Sequence, residues 1–210
     1  PCEPVNVIRE DPSNPDILYI GTDHGVYVSL DRGKNFMNAF PDFPDAPVHD
    51  LRIHPKEKDL IIGTHGRSVY KANIEHLQNI DDKVLSKKLT IWNIKDKTYK
   101  NNWGNKPYEW GNYITPELQI PYFTQNEDVY EIKIISKKND MLLKKMTDTA
   151  MEGLNYKKYH LTVGKRYVED YKKIHKIKKD KGNLNKADNG KFYLLPGKYK
   201  VRINGGVEVS

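Results

Sequence analysis

The stretch that decides the fold is VNVIREDP at residues 5–12, because it returns later in the chain as VHDLRIHP at residues 48–55. The next stretch, DILYIGT at residues 16–22, returns as DLIIGT at residues 59–64. The offset is 43 residues (5 to 48), and the sequence alignment places a slip of one residue at the Gly-Thr pair. A period of about 40 residues is typical of a four-stranded blade of a β-propeller. The sequence therefore predicts two consecutive blades.

Each copy has the pattern of successive antiparallel strands. The first strand is predicted to end at Pro12 in the first copy and at Pro55 in the second, because proline has no amide hydrogen to donate to a strand ladder. A polar turn then leads into a continuous apolar second strand, as expected for a strand buried between neighbouring blades. A third strand is predicted to begin at Val26 or Val69.

The first copy continues with SLDRGKNF at residues 29–36, in which Ser29, Asp31, Gly33 and Phe36 form the Asp-box pattern. We expect the Asp31 carboxylate to accept bonds from backbone amides two residues on, and Gly33 to take the positive φ of the turn. Phe36 is expected to pack back into the blade. A catalytic or metal-binding role for Asp31 is the alternative, and the turn-holding role is preferred because the motif uses its own polar groups.

The second copy loses this pattern after Ile74. The last blade of a propeller commonly takes its fourth strand from the other end of the ring, and two blades alone would leave open edges. We therefore expect upstream blades of the same protein to be required by these residues.

This combination of motifs resembles the closing blades of bacterial BNR-repeat proteins of the sortilin/VPS10-like group, which often carry a glycosyl hydrolase label. The motifs that carry the resemblance are PVHDL at residues 47–51, GTHGR at residues 63–67 and PGKYKVRI at residues 196–203. The resemblance implies an Ig-like, FlgD-type domain after the propeller. It also implies an exported protein, located outside the cell, on its surface or in the periplasm.

The predicted fold class is all-β, in three parts. Residues 1–76 form two terminal propeller blades, residues 77–112 are a connector, and residues 113–210 form an Ig-like β-sandwich with an insertion at residues 164–191. Charge supports the division, since residues 1–80 carry a net −4 and the remaining residues a net +11.

The insertion is basic, with ten Lys/Arg and four Asp/Glu between residues 165 and 191. Tyr167, Tyr171, Ile174 and Ile177 recur at helical spacing, which predicts an amphipathic helix that ends at Gly182. Nucleic-acid binding is not favoured, because nine of the ten cations are lysines rather than arginines and no recognised nucleic-acid fold is present. A solvated helix or a partner-facing patch is the preferred interpretation.

The connector contains Trp103, Tyr108 and Trp110 among glycine, asparagine and proline residues. Aromatic side chains in such a loop can stack on sugar rings. More often they attach the loop to a neighbouring surface.

Four residues at one end of the second copy are candidates to face a ligand: His49, Asp50, His65 and Arg67. A His/Asp metal site can be imagined there, but histidines satisfied within their own turns are the preferred interpretation. We predict no metal, no cofactor and no catalytic residue in this chain.

A glycosidase needs two carboxylates across a pocket, and a sialidase also needs clustered arginines. Arg9 and Arg52 are equivalent in the repeat, which indicates a structural role, and Arg67 is the arginine to test for a ligand role. We therefore predict a non-catalytic binding or scaffold segment that recognises a protein or glycan partner. The alternative is part of a sialidase-like glycoside hydrolase with its catalytic residues mostly elsewhere. No apolar run of about 18 residues occurs, so no membrane span is expected.

Overall fold

A computed structural model describes residues 3–40, 43–175, 186–204 and 207–209. The chain is 41% strand and 9% helix, so its fold class is all-β, as predicted. It forms two compact units, Pro1–Ser86 and Lys87–Ser210. The predicted connector at residues 77–112 is shared between these units.

The first unit contains two antiparallel sheets, one for each copy of the repeat. The first sheet has the order β1-β2-β3-β4 and the second has the order β5-β6-β7. The strands are β1 Val5–Glu10, β2 Leu18–Thr22, β3 Val26–Ser29, β4 Met37–Asn38, β5 Val48–His54, β6 Asp59–Thr64 and β7 Val69–Asn73. Two short helices follow, α1 Glu75–Gln78 and α2 Asp82–Leu85.

The two sheets share a detail that the sequence did not predict. The pairing of β1 with β2 shifts register between Val5 and Val7, and the pairing of β5 with β6 shifts between Val48 and Asp50. These are equivalent positions of the repeat, so both copies carry the same bulge. A repeated bulge indicates one repeated structural unit, because bulges are specific features of a strand pair.

The hydrogen-bonded register shows where the two copies differ in length, and this position is not the one that the sequence alignment predicts. Ile8 pairs with Ile20 in the first sheet, and Leu51 pairs with Ile62 in the second, so the whole second strand is offset by 42 residues (20 to 62). The slip therefore lies in the turn after the proline, before β2 and β6, and not at the Gly-Thr pair. A compensating extra residue lies between β6 and β7, which restores the offset to 43 at Val69.

Close packing joins the two sheets around Gly21 of β2. A Cβ atom added at Gly21 would lie 2.5 Å from Val48 Cγ1 and 2.7 Å from Val7 Cγ1. Val48 is fully buried, and Leu51 on the same strand is also fully buried. A glycine at position 21 is what permits β2 to approach β5 this closely.

The second unit also contains two antiparallel sheets, with the orders β12-β9-β8 and β11-β10-β13-β14. The strands are β8 Leu89–Ile91, β9 Leu118–Thr124, β10 Asp128–Ser136, β11 Leu142–Ala150, β12 Gly153–Tyr159, β13 Tyr199–Ile203 and β14 Val207–Val209. One hydrophobic core is formed by both sheets, with Ile120 and Tyr122 from one and Ile132 and Ile203 from the other.

The basic insertion begins as predicted and then leaves the described residues. A 3-10 turn at Lys165–Tyr167 leads into α3, Val168–Ile174, whose Val168 and Tyr171 side chains are buried. The Tyr171 hydroxyl accepts a bond from the Leu195 amide (3.0 Å) and lies 2.9 Å from the Tyr199 hydroxyl. α3 ends at Ile174, with His175 as its C-cap, and not at Gly182 as the spacing predicts. Ile177 and Gly182 lie outside the described residues, as does the Gly205-Gly206 pair, for which the sequence predicts a hairpin turn.

Candidate functional site

The Asp-box turn in the first sheet is held by its own polar groups. The Ser29 hydroxyl donates to Asp31 Oδ1 (2.8 Å) and accepts from the amide of Gly33 (2.8 Å). Asp31 Oδ1 also accepts from the Asn35 amide (2.9 Å), and Asp31 Oδ2 accepts from Asn35 Nδ2 (2.8 Å). Both carboxylate oxygens of Asp31 are therefore engaged within the turn.

The turn differs in one respect from the sequence prediction. The Asp31 carboxylate bonds the amide four residues on, at Asn35, rather than two residues on. Arg32 and Gly33 both have positive φ, 61° and 84°, and together they turn the chain back so that Asn35 faces Asp31. Phe36 is half-buried, and its ring lies about 3.8 Å from where a Gly33 Cβ would stand.

These hydrogen bonds stabilise the charged form of Asp31. The Asn35 backbone amide, followed by the Asn35 side chain, lowers the pKa of Asp31 to about 2 from its ordinary 3.8. A carboxyl group with such a pKa is ionised throughout the neutral range. It can hold a turn, but it cannot donate a proton to a leaving group as a general acid must.

The four candidate ligand-facing residues are brought together only in part. The rings of His49 and His65 lie 5.5 Å apart and are both exposed. The His65 amide donates to the Pro47 carbonyl (2.9 Å), which fixes the turn after β6. Arg67 is exposed in the same turn.

Asp50 instead joins the two sheets. Its Oδ1 accepts from Arg9 Nη2 (2.8 Å), and its Oδ2 accepts from Arg52 Nε (3.1 Å). Arg9 also donates from Nε to the Leu51 carbonyl (2.9 Å). The two repeat-equivalent arginines therefore bind one carboxylate, and the hydrogen bond from Arg52 is the leading cause that lowers the pKa of Asp50.

The same region lacks the donors for a metal. No group of three or more His, Cys, Asp or Glu side chains in the described part of the chain could hold a metal ion. His49 and His65 are two imidazoles, and the nearby Asp50 carboxylate faces the arginines. Structural metal sites need about four such ligands, and catalytic zinc sites need about three.

The second unit contains an open cavity of about 630 Å³. Apolar side chains line much of it, including Trp103, Leu118, Ile134, Tyr159, Leu161 and Val201. Lysines also line it, namely Lys95, Lys97, Lys137 and Lys198. Asp96 is the single carboxylate among its described lining residues. This wall does not supply the two carboxylates, roughly 5 to 9.5 Å apart, that glycoside hydrolysis uses.

The aromatic side chains between positions 103 and 113 divide into two groups. Trp103 is 7% exposed and lies in the core, with its ring 5.2 Å from that of Tyr99. Trp110 is 90% exposed and Tyr108 is 67% exposed. The sequence allowed both attachment and ligand stacking for this set, but it did not separate Trp103 from Trp110. The sequence signal that distinguishes them is that Trp110 lies within the turn-forming stretch Pro-Tyr-Glu-Trp-Gly at residues 107–111, whereas Trp103 precedes it.

Comparisons with protein-family models, with curated proteins and with solved structures found no match for this chain. Within the described residues, no helix has the length and apolar character needed to cross a membrane.

Proposed function

We propose that this chain is a non-catalytic binding segment of an exported protein, and that it recognises a protein or glycan partner. In this proposal the two sheets of the first unit are terminal blades of a β-propeller, and the second unit is an Ig-like β-sandwich. The repeated strand order, the repeated bulge and the Asp-box turn support the first assignment. Two antiparallel sheets around one core support the second.

The observation that carries the non-catalytic part is the bonding of the candidate carboxylates, since both oxygens of Asp31 are bonded within its turn and both oxygens of Asp50 accept from arginines. The directions of the pKa shifts agree with it. Every described carboxyl group with a shifted pKa is shifted downward: Asp31, Asp50, Asp59, Glu131 and Asp140. In each case the leading cause is a hydrogen bond from a backbone amide or a cationic side chain. A glycosidase acid needs the opposite shift, a raised pKa that keeps its proton near neutral pH.

Exposed apolar residues support a role in association. Val5 and Ile8 on β1 are 53% and 54% exposed, and Val69 on β7 is 70% exposed. β1 and β7 are edge strands of their sheets, and an edge strand with exposed apolar side chains is prone to association with another chain segment. In this proposal, further blades of the same protein cover the outer face of the first sheet.

The test compares turnover with binding. We expect the chain to release no chromophore from a panel of aryl glycosides, including an aryl sialoside. We expect it to bind immobilised glycans or a partner protein in a saturable manner. Turnover that is abolished by Arg67→Ala or by Asp50→Asn, with an unchanged circular dichroism spectrum, would overturn the proposal in favour of the glycoside hydrolase.

A further inference from the structure

A loop in the second unit, residues 104–114, presents large aromatic side chains to solvent; we refer to it as the aromatic loop. Trp110 is 90% exposed, Tyr108 is 67% exposed and Tyr113 is 43% exposed. Tryptophan is usually well buried, because its side chain has a large apolar area. Three exposed aromatic residues within six positions are therefore a candidate binding surface rather than ordinary surface composition.

The base of the aromatic loop is closed by backbone hydrogen bonds. The Gly104 amide donates to the Ile114 carbonyl (2.7 Å), and the Ile114 amide donates to the Asn105 carbonyl (3.0 Å). Trp103, which directly precedes the loop, is fixed in the hydrophobic core. The exposed side chains therefore stand on an ordered base.

A neighbouring segment strengthens this base. The Lys106 amide donates to Asp188 Oδ2 (3.1 Å), and the Asp188 amide donates to Asn105 Oδ1 (3.2 Å). The Asn189 amide donates to the Gly104 carbonyl (3.1 Å). These bonds join residues more than 80 positions apart in the chain, so the position of the loop depends on the folded unit.

The tip of the loop is also compact. The Gly111 amide donates to the Tyr108 carbonyl (2.9 Å), which closes a turn around Trp110. A Cβ at Gly111 would lie 3.0 Å from Pro107 Cγ and 3.2 Å from Tyr108 Cε2. The proline and tyrosine rings therefore pack against the backbone at Gly111. A backbone held in this way loses little further conformational entropy when the side chains that it presents bind a ligand.

The charge of the loop indicates the chemistry of its ligand. The chain carries a net +7, but the aromatic loop holds one cation, Lys106, and one anion, Glu109. Lys106 Nζ donates to the Glu109 carbonyl (3.0 Å) and lies 5.4 Å from the centre of the Tyr113 ring. Its charge is thereby engaged within the loop. A surface without net charge does not select an anionic ligand such as a nucleic acid.

A neutral sugar matches these features. One face of a pyranose ring presents C–H groups, which pack on an indole ring, while hydroxyl groups at its edge need polar partners. Glu109 and Asn112 lie one and two positions from Trp110 in sequence and are both exposed, so the loop carries a carboxylate and an amide that are accessible to hydroxyl groups.

We propose that the aromatic loop, centred on Trp110, binds a neutral polysaccharide. This inference rests on the proposed binding function and assigns its ligand class and its contact surface. Trp110 supplies the stacking face, Tyr108 and Tyr113 extend it, and Glu109 and Asn112 bind hydroxyl groups.

The experiment is affinity electrophoresis of the full chain in gels that contain hydroxyethyl cellulose, laminarin, xyloglucan or galactomannan. We expect at least one polysaccharide to retard the wild-type chain. Trp110→Ala should weaken that binding by about tenfold or more, the loss expected when an aromatic hot-spot residue is truncated. Trp110→Phe, which keeps a ring, should retain part of it.

Two controls separate a local effect from a general one. Val129→Ala removes a 58% exposed apolar side chain on β10 of the same unit, and it should bind like the wild type. Tryptophan fluorescence gives a second readout, since the chain has three tryptophans and the emission change on binding should disappear in Trp110→Phe. Because Trp110 is exposed, the circular dichroism spectrum of Trp110→Ala should equal that of the wild type.

The other outcomes are distinguishable. Retardation that Trp110→Ala leaves unchanged, or no retardation by any of the four polysaccharides, overturns this inference and leaves the binding function intact. Capture of a protein partner that depends on Trp110 overturns the glycan assignment alone. Turnover of glycosides by the chain overturns the proposed function itself.

Discussion

The two copies of the repeat fold alike but stabilise their turns differently. In the first sheet, buried Asp11 is 2% exposed and accepts bonds from the Ser13 amide (2.8 Å) and the Tyr19 hydroxyl (3.1 Å). The equivalent residue of the second sheet is His54, which is exposed and accepts one bond from the Glu57 amide (3.2 Å). One repeat position is therefore a buried polar centre in one copy and a surface acceptor in the other.

The ends of the two copies explain this difference. The first copy continues through the Asp-box turn into β4, whereas the second continues through fully buried Ile74 into α1. Gln78, the last residue of α1, donates from Nε2 to Asp11 Oδ2 (2.8 Å). The segment that replaces the Asp-box of the second copy thus completes the hydrogen bonding of the first. The two copies are therefore not independent, because Gln78 of the segment after the second copy donates a hydrogen bond to Asp11 of the first.

The largest effect is expected when Asp11 is replaced. Asp11→Ala should lower the free energy of unfolding by about 3 kcal/mol, because it leaves the buried Tyr19 hydroxyl and the Gln78 amide without acceptors. Burial, followed by the Asp11 charge, raises the pKa of Tyr19, so its hydroxyl keeps the proton that it donates. Urea unfolding followed by circular dichroism measures the change.

The matched control for this prediction is His54→Ala. It removes one exposed acceptor and should change the free energy of unfolding by less than about 0.5 kcal/mol. Equal losses for the two variants would show that the copies are energetically equivalent, and Asp11 would then not be the special position that its burial indicates.

A smaller effect is expected at the glycine that the two copies share. Gly21→Ala should cost about 2 kcal/mol, because the added Cβ would overlap Val48 and Val7. Gly63→Ala, the equivalent change in the second sheet, places its Cβ 3.5 Å from the nearest atom, the Asp50 carbonyl oxygen, which is ordinary contact. Thermal unfolding of the two variants measures the difference. A Gly21→Ala variant as stable as Gly63→Ala would contradict the close approach of β2 to β5.

The smallest effect concerns the Asp-box, which the second copy lacks. Asp31→Ala should cost about 1 kcal/mol at neutral pH, similar to the loss of a capping side chain. The folded pKa of Asp31, about 2, lies below its ordinary 3.8, so its stabilisation is complete above pH 3.8 and is lost as pH falls through about 2.

The measurement is the difference in Tm between the wild type and Asp31→Ala as a function of pH. It should stay constant from about pH 5 to about pH 8 and shrink between about pH 4 and about pH 2. A difference that grows on acidification would mean that the protonated carboxyl group holds the turn, and the assigned hydrogen bonds would then be wrong.

The local features of the fold were predictable because they depend on neighbours in sequence. Apolar runs and strand-ending prolines predict the strands of the two copies near their observed positions, and the SLDRGKNF stretch at residues 29–36 predicts a turn with positive φ at Gly33. The predicted position of the one-residue difference between the copies is wrong. Sequence identity places it at the Gly-Thr pair, whereas the hydrogen-bonded register places it in the turn before β2 and β6. Register depends on pairing between strands, which the amino-acid sequence of one strand does not specify.

The contacts of the candidate site depend on residues that are distant in sequence, more than the strands and turns do. The sequence groups Asp50 with His49 and His65, yet its partners are Arg52 on its own strand and Arg9, 41 positions away in the other sheet. By itself, the sequence determined the repeat, the all-β class and the residues of the Asp-box turn, because periodicity and turn chemistry are local properties. Only the tertiary structure decided that Asp11 is buried, that Asp50 lies between two arginines, and that Trp103 is buried while Trp110 is exposed. Burial and ion pairing are set by residues that the chain brings together from far apart, so these assignments exist only in the folded molecule.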